Sequence, residues 1–369
     1  MNAQRLTPVM ALLLSACPAP DAPELDPVVP GLAEAVAHDP TKAREKPDPL
    51  PMREFKTPTT ESRTLSNGLR VVVATNTEVP LVNITMAFNV GDFAADVPDL
   101  ASTTFDMMNE GAGDLSAADI SRKLKAMASD LNTSASMDGA TVSAQSLKKN
   151  LEPTLDLMAL VIEEPTFPAD EWTILQRRYV AGVQQARKDP NGIASRVQGR
   201  VLYGNTYSGR IAMESTYQAM TPEQMKAWHA KYVGPQNAVI LVGGDVSADE
   251  IMPILEARFG DWAPEGIESP TVAPTVVQPE KPVLYFVNKP GAAQSVVRVF
   301  NVVGQRTDSD WFAYDLGMDV LGGTFMSRVN MNLREDKGYT YGARCRTGMT
   351  YGDKVSSCSA GVKTEETGN

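Results

Sequence analysis

Two side chains in one short stretch stand out for the chemistry they could do. In LGGTFMSRVNMNLREDKGYTYGARCR (residues 321–346), Arg334 and Tyr341 lie seven residues apart on either side of Gly338. A guanidinium fork and a phenol hydroxyl can together hold a carbonyl oxygen, or the oxyanion it becomes. The same residues also serve as an ordinary helix-end Arg and an ordinary strand Tyr, so the pair alone leaves both readings open. The elements that must position it read as a Gly-Gly turn, an amphipathic helix, a tight corner at Gly338 and a strand rich in Tyr and Thr.

Other chemistries are excluded by counting. The chain has 369 residues but two histidines, His38 and His229, so a His-rich metal site and any HExxH or HxxEH motif are ruled out. Its three cysteines, Cys17, Cys345 and Cys358, show neither CxxC nor Cys-His zinc spacing. A net charge of -11, with no basic patch interleaved with aromatics, argues against nucleic acid as a partner. Apolar content of 43% and charged content of 21% are those of a globular protein, and the length suits two domains.

Residues 1–17 have a basic start at Arg5, a short apolar run from Val9 to Leu14 and the ending Leu14-Ser15-Ala16-Cys17. The run is too short to span a bilayer and suits a signal peptide, and the ending resembles a bacterial lipobox that makes Cys17 a lipidated N-terminus. Residues 18–58 hold ten of the chain's 26 prolines, and this composition predicts an extended tether. His38 lies in that tether and is not a ligand candidate. The expected location is the bacterial cell envelope, lipid-anchored and facing the periplasm, with Pro18 after Cys17 favouring the outer membrane.

The remainder alternates strand and helix signals. A strand, an Asn67-Gly68 turn and a strand open a first domain (59–262). A half-buried strand over 81–90 follows, then helices over 100–108 and 120–129, with Ser116 a plausible cap. A strand pair joined at Asp138-Gly139 leads into helices over 151–162, 170–187, 222–232 and 248–259, with an apolar strand over 238–243. His229, on the 222–232 helix among aromatic neighbours, reads as structural. A Pro-rich linker (263–281) leads to a second domain (282–369), with strands expected over 283–287 and 295–300, helices over 311–321 and 326–333, and a hairpin over 339–362. Residues 287–304 parallel 74–91, so one α+β unit is read twice.

With this duplicated unit and the TLSNGLRVVV start, the chain from about residue 60 onward resembles the M16 peptidases, the family of pitrilysin, insulinase and mitochondrial processing peptidase. The resemblance implies duplicated M16-type (LuxS/MPP-like) α/β sandwich domains of the α+β class, with the second incomplete at its C-terminus. It also implies a clamshell in which one half carries an HxxEH zinc motif and a distal Glu, and the other half can supply an Arg and a Tyr. At the zinc positions this chain has Ser102 and Asp106 for the histidines, Phe105 for the general-base Glu and, by an ungapped reading, Gln184 near the distal Glu. Zinc and a polarised water require imidazole and carboxylate donors, which this set does not supply. The Arg/Tyr pattern is kept in Asn332-Leu333-Arg334-Glu335-Asp336-Lys337-Gly338-Tyr339-Thr340-Tyr341.

The resemblance therefore implies a chain with no metal of its own: an accessory, zinc-less subunit whose Arg334 and Tyr341 act on a peptide substrate's carbonyl beside the zinc of an HxxEH-bearing partner in a heterodimer. The alternative is a non-enzymatic scaffold or peptide-binding lipoprotein of the same descent. A hairpin turning near Tyr351-Gly352 would set Cys345 opposite Cys358, as a disulfide permitted by export or as two free buried thiols.

Overall fold

A computed structural model describes residues 59–271, 281–304, 306–348 and 355–369. The expected signal peptide, Cys17, the tether with His38, residues 272–280 of the Pro-rich linker and the hairpin turn near Tyr351-Gly352 lie outside the described residues. Residues 57–369 form one compact unit.

The first half is built on a six-stranded sheet. Strands β1 (Glu61–Thr64), β2 (Arg70–Thr75) and β3 (Leu81–Phe88) precede helix α1 (Leu100–Met108). A two-residue strand pair follows, β4 (Gly111–Ala112) and β5 (Leu115–Ser116), then α2 (Ala117–Met127), β6 (Asp130–Ala135) and β7 (Ala140–Leu147). Helices α3 (Leu151–Glu163), α4 (Ala169–Ala186), α5 (Pro190–Tyr203), α6 (Glu214–Ala219) and α7 (Pro222–Tyr232) lead to β8 (Ala238–Gly244) and α8 (Ala248–Phe259). The sheet order is β1-β2-β8-β3-β7-β6, antiparallel except for the parallel pair β2–β8.

Period-two patterning decides which face is covered. On β3, Val82, Ile84, Met86 and Phe88 are buried, while Asn83 between them is exposed. The buried face meets Phe105 of α1, Leu155 and Met158 of α3, Met225 of α7 and Leu255 of α8 in one continuous core. The other face carries polar pairs such as Gln145, whose Nε2 donates to Asn83 Oδ1 at 2.8 Å. Ser116 caps α2 with a reciprocal Ser–Asp119 box, as the sequence indicates.

Helix α5 falls beyond the helix expected over 170–187, in a stretch where the sequence reading places no element. Asp189-Pro190-Asn191-Gly192 is a helix start: the Asp189 carboxylate accepts from Gly192 N at 2.6 Å, and Pro190 occupies the first helical position, where its missing N–H costs nothing.

The second half holds a three-stranded antiparallel sheet in the order β10-β11-β9, from β9 (Gln294–Val302), β10 (Thr340–Thr347) and β11 (Val355–Lys363). Between β9 and β10 run α9 (Trp311–Met318), a π-helical turn (Asp319–Gly323), and α10 (Arg328–Asn330), which continues through a second π-helical stretch (Met331–Asp336). Arg298 of β9 donates to Gln198 of α5 at 3.1 Å, joining the two halves.

The strand expected over Val283–Val287 is not formed. The apolar run has no ladder partner among the described residues, and Leu284 and Phe286 stay 89% and 81% exposed. β propensity is realised only through a neighbouring strand and a covered face, and this run has neither.

Candidate functional site

Arg334 and Tyr341 are positioned by the end of one helical segment and the start of one strand. The segment stops at Gly338, whose φ of +65° is left-handed and favours glycine, and Gly338 N donates to Arg334 O at 3.1 Å. The chain then enters β10. From across that corner the Arg334 guanidinium reaches the strand: Nη1 donates to the main-chain carbonyl of Tyr341 at 3.0 Å. Nε pairs with Glu335 at 3.1 Å, and Cζ lies 4.7 Å from the centre of the Phe325 ring. The Arg334 side chain keeps 40% of its surface in solvent, and Tyr341 is 86% exposed. The two residues are thus brought together through Tyr341's backbone, with a phenol and part of a guanidinium presented outward.

β10 is fastened from its other side. Cys345 stands directly opposite Cys358 on β11, and a disulfide joins them. Gly322 of the Gly-Gly turn packs so close to Cys345 that an added Cβ would collide with it, so this turn must be glycine for β10 to lie against it.

The α1 residues expected from the resemblance to stand at zinc-motif positions are arranged differently. Ser102 and Asp106, one turn apart on α1, each carry a side-chain hydrogen bond. Ser102 Oγ donates to Asp92 Oδ2 at 2.6 Å. Asp106 accepts from the hydroxyl of Tyr179 on α4, and Asp99, just before α1, accepts from the hydroxyl of Tyr217 on α6. The Tyr179 and Tyr217 rings stack with centroids 4.7 Å apart. Phe105 points the opposite way, fully buried, with edge contacts to Phe88 and Trp228 at 5.7 and 6.2 Å.

Gln184 is exposed on α4. The α4 residue that reaches α1 is Tyr179, which shares a stripe with the buried Leu175 and Val183 at four-residue spacing. Sequence reasoning missed Tyr179, Tyr217, Asp92 and Asp99; the Leu175-Tyr179-Val183 spacing could have turned Tyr179 inward.

Burial sets the electrostatics of this face. It pushes Asp92 up to about 6, against the lowering effect of the Ser102 donor and with help from the Asp99 charge. Burial also raises Asp106, against its Tyr179 bond, and holds both tyrosine hydroxyls above their ordinary value. His229 is buried, bonded through Nε2 to the carbonyl of Ile162 at 2.9 Å, and lowered to about 4 by desolvation, so it is a neutral structural residue.

No group of three or more His, Cys, Asp or Glu side chains that could hold a metal occurs among the described residues. The side chains on α1 do not fit zinc: Phe105 is a core phenyl ring, and Ser102 and Asp106 are bonded to Asp92 and Tyr179.

Comparisons with known proteins find likenesses to M16 proteins. The family model described as "Peptidase M16 inactive domain" matches residues 219–369. An uncharacterized zinc protease of Mycobacterium leprae is 24% identical over 283 residues, covering 75% of this chain and 63% of the relative. The chain therefore matches less than two-thirds of that relative's length. A protein of Helicobacter pylori named "Non-peptidase homolog YmxG" is 23% identical over 302 residues, covering 79% of this chain and 67% of its own. The crystal structure of a peptidase M16 inactive domain from Pseudomonas fluorescens superposes with a TM-score of 0.74 at 26% identity, over 83% of this chain and 75% of that one.

Proposed function

We propose that this chain, a member of the M16 peptidase family, is an accessory subunit that supplies Arg334 and Tyr341 to the substrate carbonyl in the active site of a zinc-bearing partner. The observation that carries the reading is the corner itself. Arg334 is locked to Tyr341's main chain while the Tyr341 side chain stays exposed, the arrangement needed to offer donors to a carbonyl outside the chain. The α1 face supports the same division of labour, because its former ligand positions are bonded within the chain. The partner is an M16 chain carrying HxxEH, the substrate is a peptide, and the zinc belongs to the partner.

The test is cleavage of a quenched fluorogenic peptide by an HxxEH-bearing M16 chain from the same genome, with and without this chain. Activity is expected to need both chains and to fall on Arg334→Ala and on Tyr341→Phe. A kcat unchanged by both substitutions in the mixture would falsify the reading.

A second reading, a peptide-binding scaffold without catalysis, is favoured by the open polar sheet face that includes Asn83 and Gln145. It predicts peptide binding by the isolated chain and no change in a partner's turnover. For location we propose lipidation at Cys17 and anchoring in the cell envelope. Cys17→Ser should move the protein from the membrane pellet to the soluble fraction, and no shift would exclude the anchor.

A further inference from the structure

The strand that carries Tyr341 is irregular at that residue. On β10, Thr340 stands opposite Val362, and the next pair is Ala343 opposite Ala360, so three steps on β10 meet two on β11. The extra residue is a β-bulge at Tyr341–Gly342. Such a bulge re-aims a side chain and removes main-chain groups from the ladder. Those groups need other partners to hold one conformation.

They find them in side chains. Arg334 donates to the Tyr341 carbonyl at 3.0 Å, and Thr340 Oγ1 accepts from Gly342 N at 3.1 Å. Asn330, only 1% exposed at the end of α10, accepts at Oδ1 from Ala343 N at 3.0 Å. Its Nδ2 donates to the Phe325 carbonyl at 2.6 Å. Phe325 is the residue whose ring lies against the Arg334 guanidinium. One buried amide therefore holds both the strand just past Tyr341 and the platform beneath Arg334.

We infer that Asn330 is a positioning residue for the Arg334–Tyr341 pair, fixing the bulge that aims the phenol and the surface that seats the guanidinium. The inference rests on the accessory-subunit reading above. The amide is suited to it because it carries a donor and an acceptor on one short stem. Ala carries neither, and an ionised Asp carries only acceptors.

The experiment uses the full chain in complex with the HxxEH-bearing chain and the same fluorogenic peptide. Asn330→Ala is expected to lower kcat about tenfold with little change in KM, as expected when reacting groups are misplaced rather than substrate binding lost. In an Arg334→Ala, Tyr341→Phe double background the same change should cost almost nothing further, because the residue acts through that pair.

Asn330→Asp gives an independent readout and covers the case in which the Ala variant does not fold. A protonated buried carboxyl carries an O–H donor and a C=O acceptor. Its kcat, divided by the wild-type value, should therefore recover as pH falls from about 8 to about 5.5. In the isolated chain, exchange of the Gly342 and Ala343 amides should be about tenfold faster in Asn330→Ala than in wild type.

If Tyr341→Phe lowers kcat but Asn330→Ala does not, or its loss simply adds to that of the double variant, the positioning role is overturned while the accessory reading stands. A kcat that is indifferent to Arg334→Ala and Tyr341→Phe themselves overturns both.

Discussion

On the α1 face Ser102, Asp106 and Asp99 each pair with another side chain, with Asp92 also accepting from Ala101 N, whereas at the Gly338 corner the bonds that matter run from side chains to the main chain of β10. Ser102 is tied to Asp92, Asp106 to Tyr179 and Asp99 to Tyr217. Arg334, Asn330 and Thr340 hold backbone groups of the strand bearing Tyr341. The physical consequence differs. A bond between two side chains occupies the atoms that could have served a ligand. A bond from a side chain to the backbone stiffens the scaffold and leaves the next side chain available. The first region is a support whose polar groups are satisfied within the chain, and the second a scaffold that keeps one phenol exposed.

The largest expected effect follows from the difference in packing. Phe105 is fully buried between Phe88 and Trp228, so Phe105→Ala should destabilise the folded chain by about 3–5 kcal/mol. Phe105→Glu, which would place a carboxylate there, should do at least as much harm, because it buries that carboxylate in an apolar contact. Urea denaturation measures both. Ser102→His, Phe105→Glu and Asp106→His combined should bind no stoichiometric zinc. A zinc-loaded triple variant of native stability would break the distinction between the two regions.

At the corner the same kind of truncation should affect rate rather than stability. Arg334→Ala or Tyr341→Phe is expected to lower kcat of the complex about a hundredfold, the scale of losing one oxyanion donor. Tyr341 is 86% exposed, so its loss should leave the denaturation midpoint of the isolated chain nearly unchanged. A variant that loses stability but keeps kcat would make the corner as structural as the α1 face.

Much of both regions was legible beforehand, for a physical reason. The helix over 100–108, the Gly338 corner and the hairpin depend on local signals: apolar periodicity, a glycine suited to left-handed φ, and alternation along strands. Phe105 as an apolar residue that cannot serve as a general base is likewise visible as a residue type. Tyr179 and Tyr217 were not, because a tyrosine among charged neighbours on α4 carries no sign that its hydroxyl meets a carboxylate 73 positions earlier. An ungapped register points to Gln184, but helical phase puts it in solvent while Tyr179 faces α1. The 283–287 run failed as a strand because pairing is a property of two segments, and a sequence window sees one.

A smaller effect tests the claim that the α1 bonds are structural. Tyr179→Phe leaves the half-buried Asp106 carboxylate without its donor and should cost about 1–3 kcal/mol of stability, the range for an unsatisfied buried polar group. It should leave kcat of the complex unchanged. A loss of turnover comparable with that of Tyr341→Phe would return this face to the active site.

The smallest effect concerns pH, and it should belong to the α1 face. Asp92 is raised by burial from an ordinary 3.8 to about 6 in the folded state. Between those values the folded chain holds a proton that the unfolded chain has released. The stabilisation is therefore complete below the unfolded value and lost as pH rises through about 6. Glu163, pushed up to about 7 by burial and by Glu164, adds a loss of the same sign at slightly higher pH. Raising pH from about 5 to about 7 should accordingly lower unfolding free energy by about 1 kcal/mol from Asp92. Asp92→Asn keeps an acceptor for Ala101 N and a donor for Ser102 Oγ, so it should flatten this part of the slope without opening the α1 face. Glu163→Gln should flatten a further part, leaving to Asp106, raised in the same direction, some of the rest. Arg334→Ala should leave the slope as it is. If it were Arg334→Ala that changed the slope and Asp92→Asn that did not, the ionisable load would lie at the corner, and the division between a buried support and an exposed pair would be wrong.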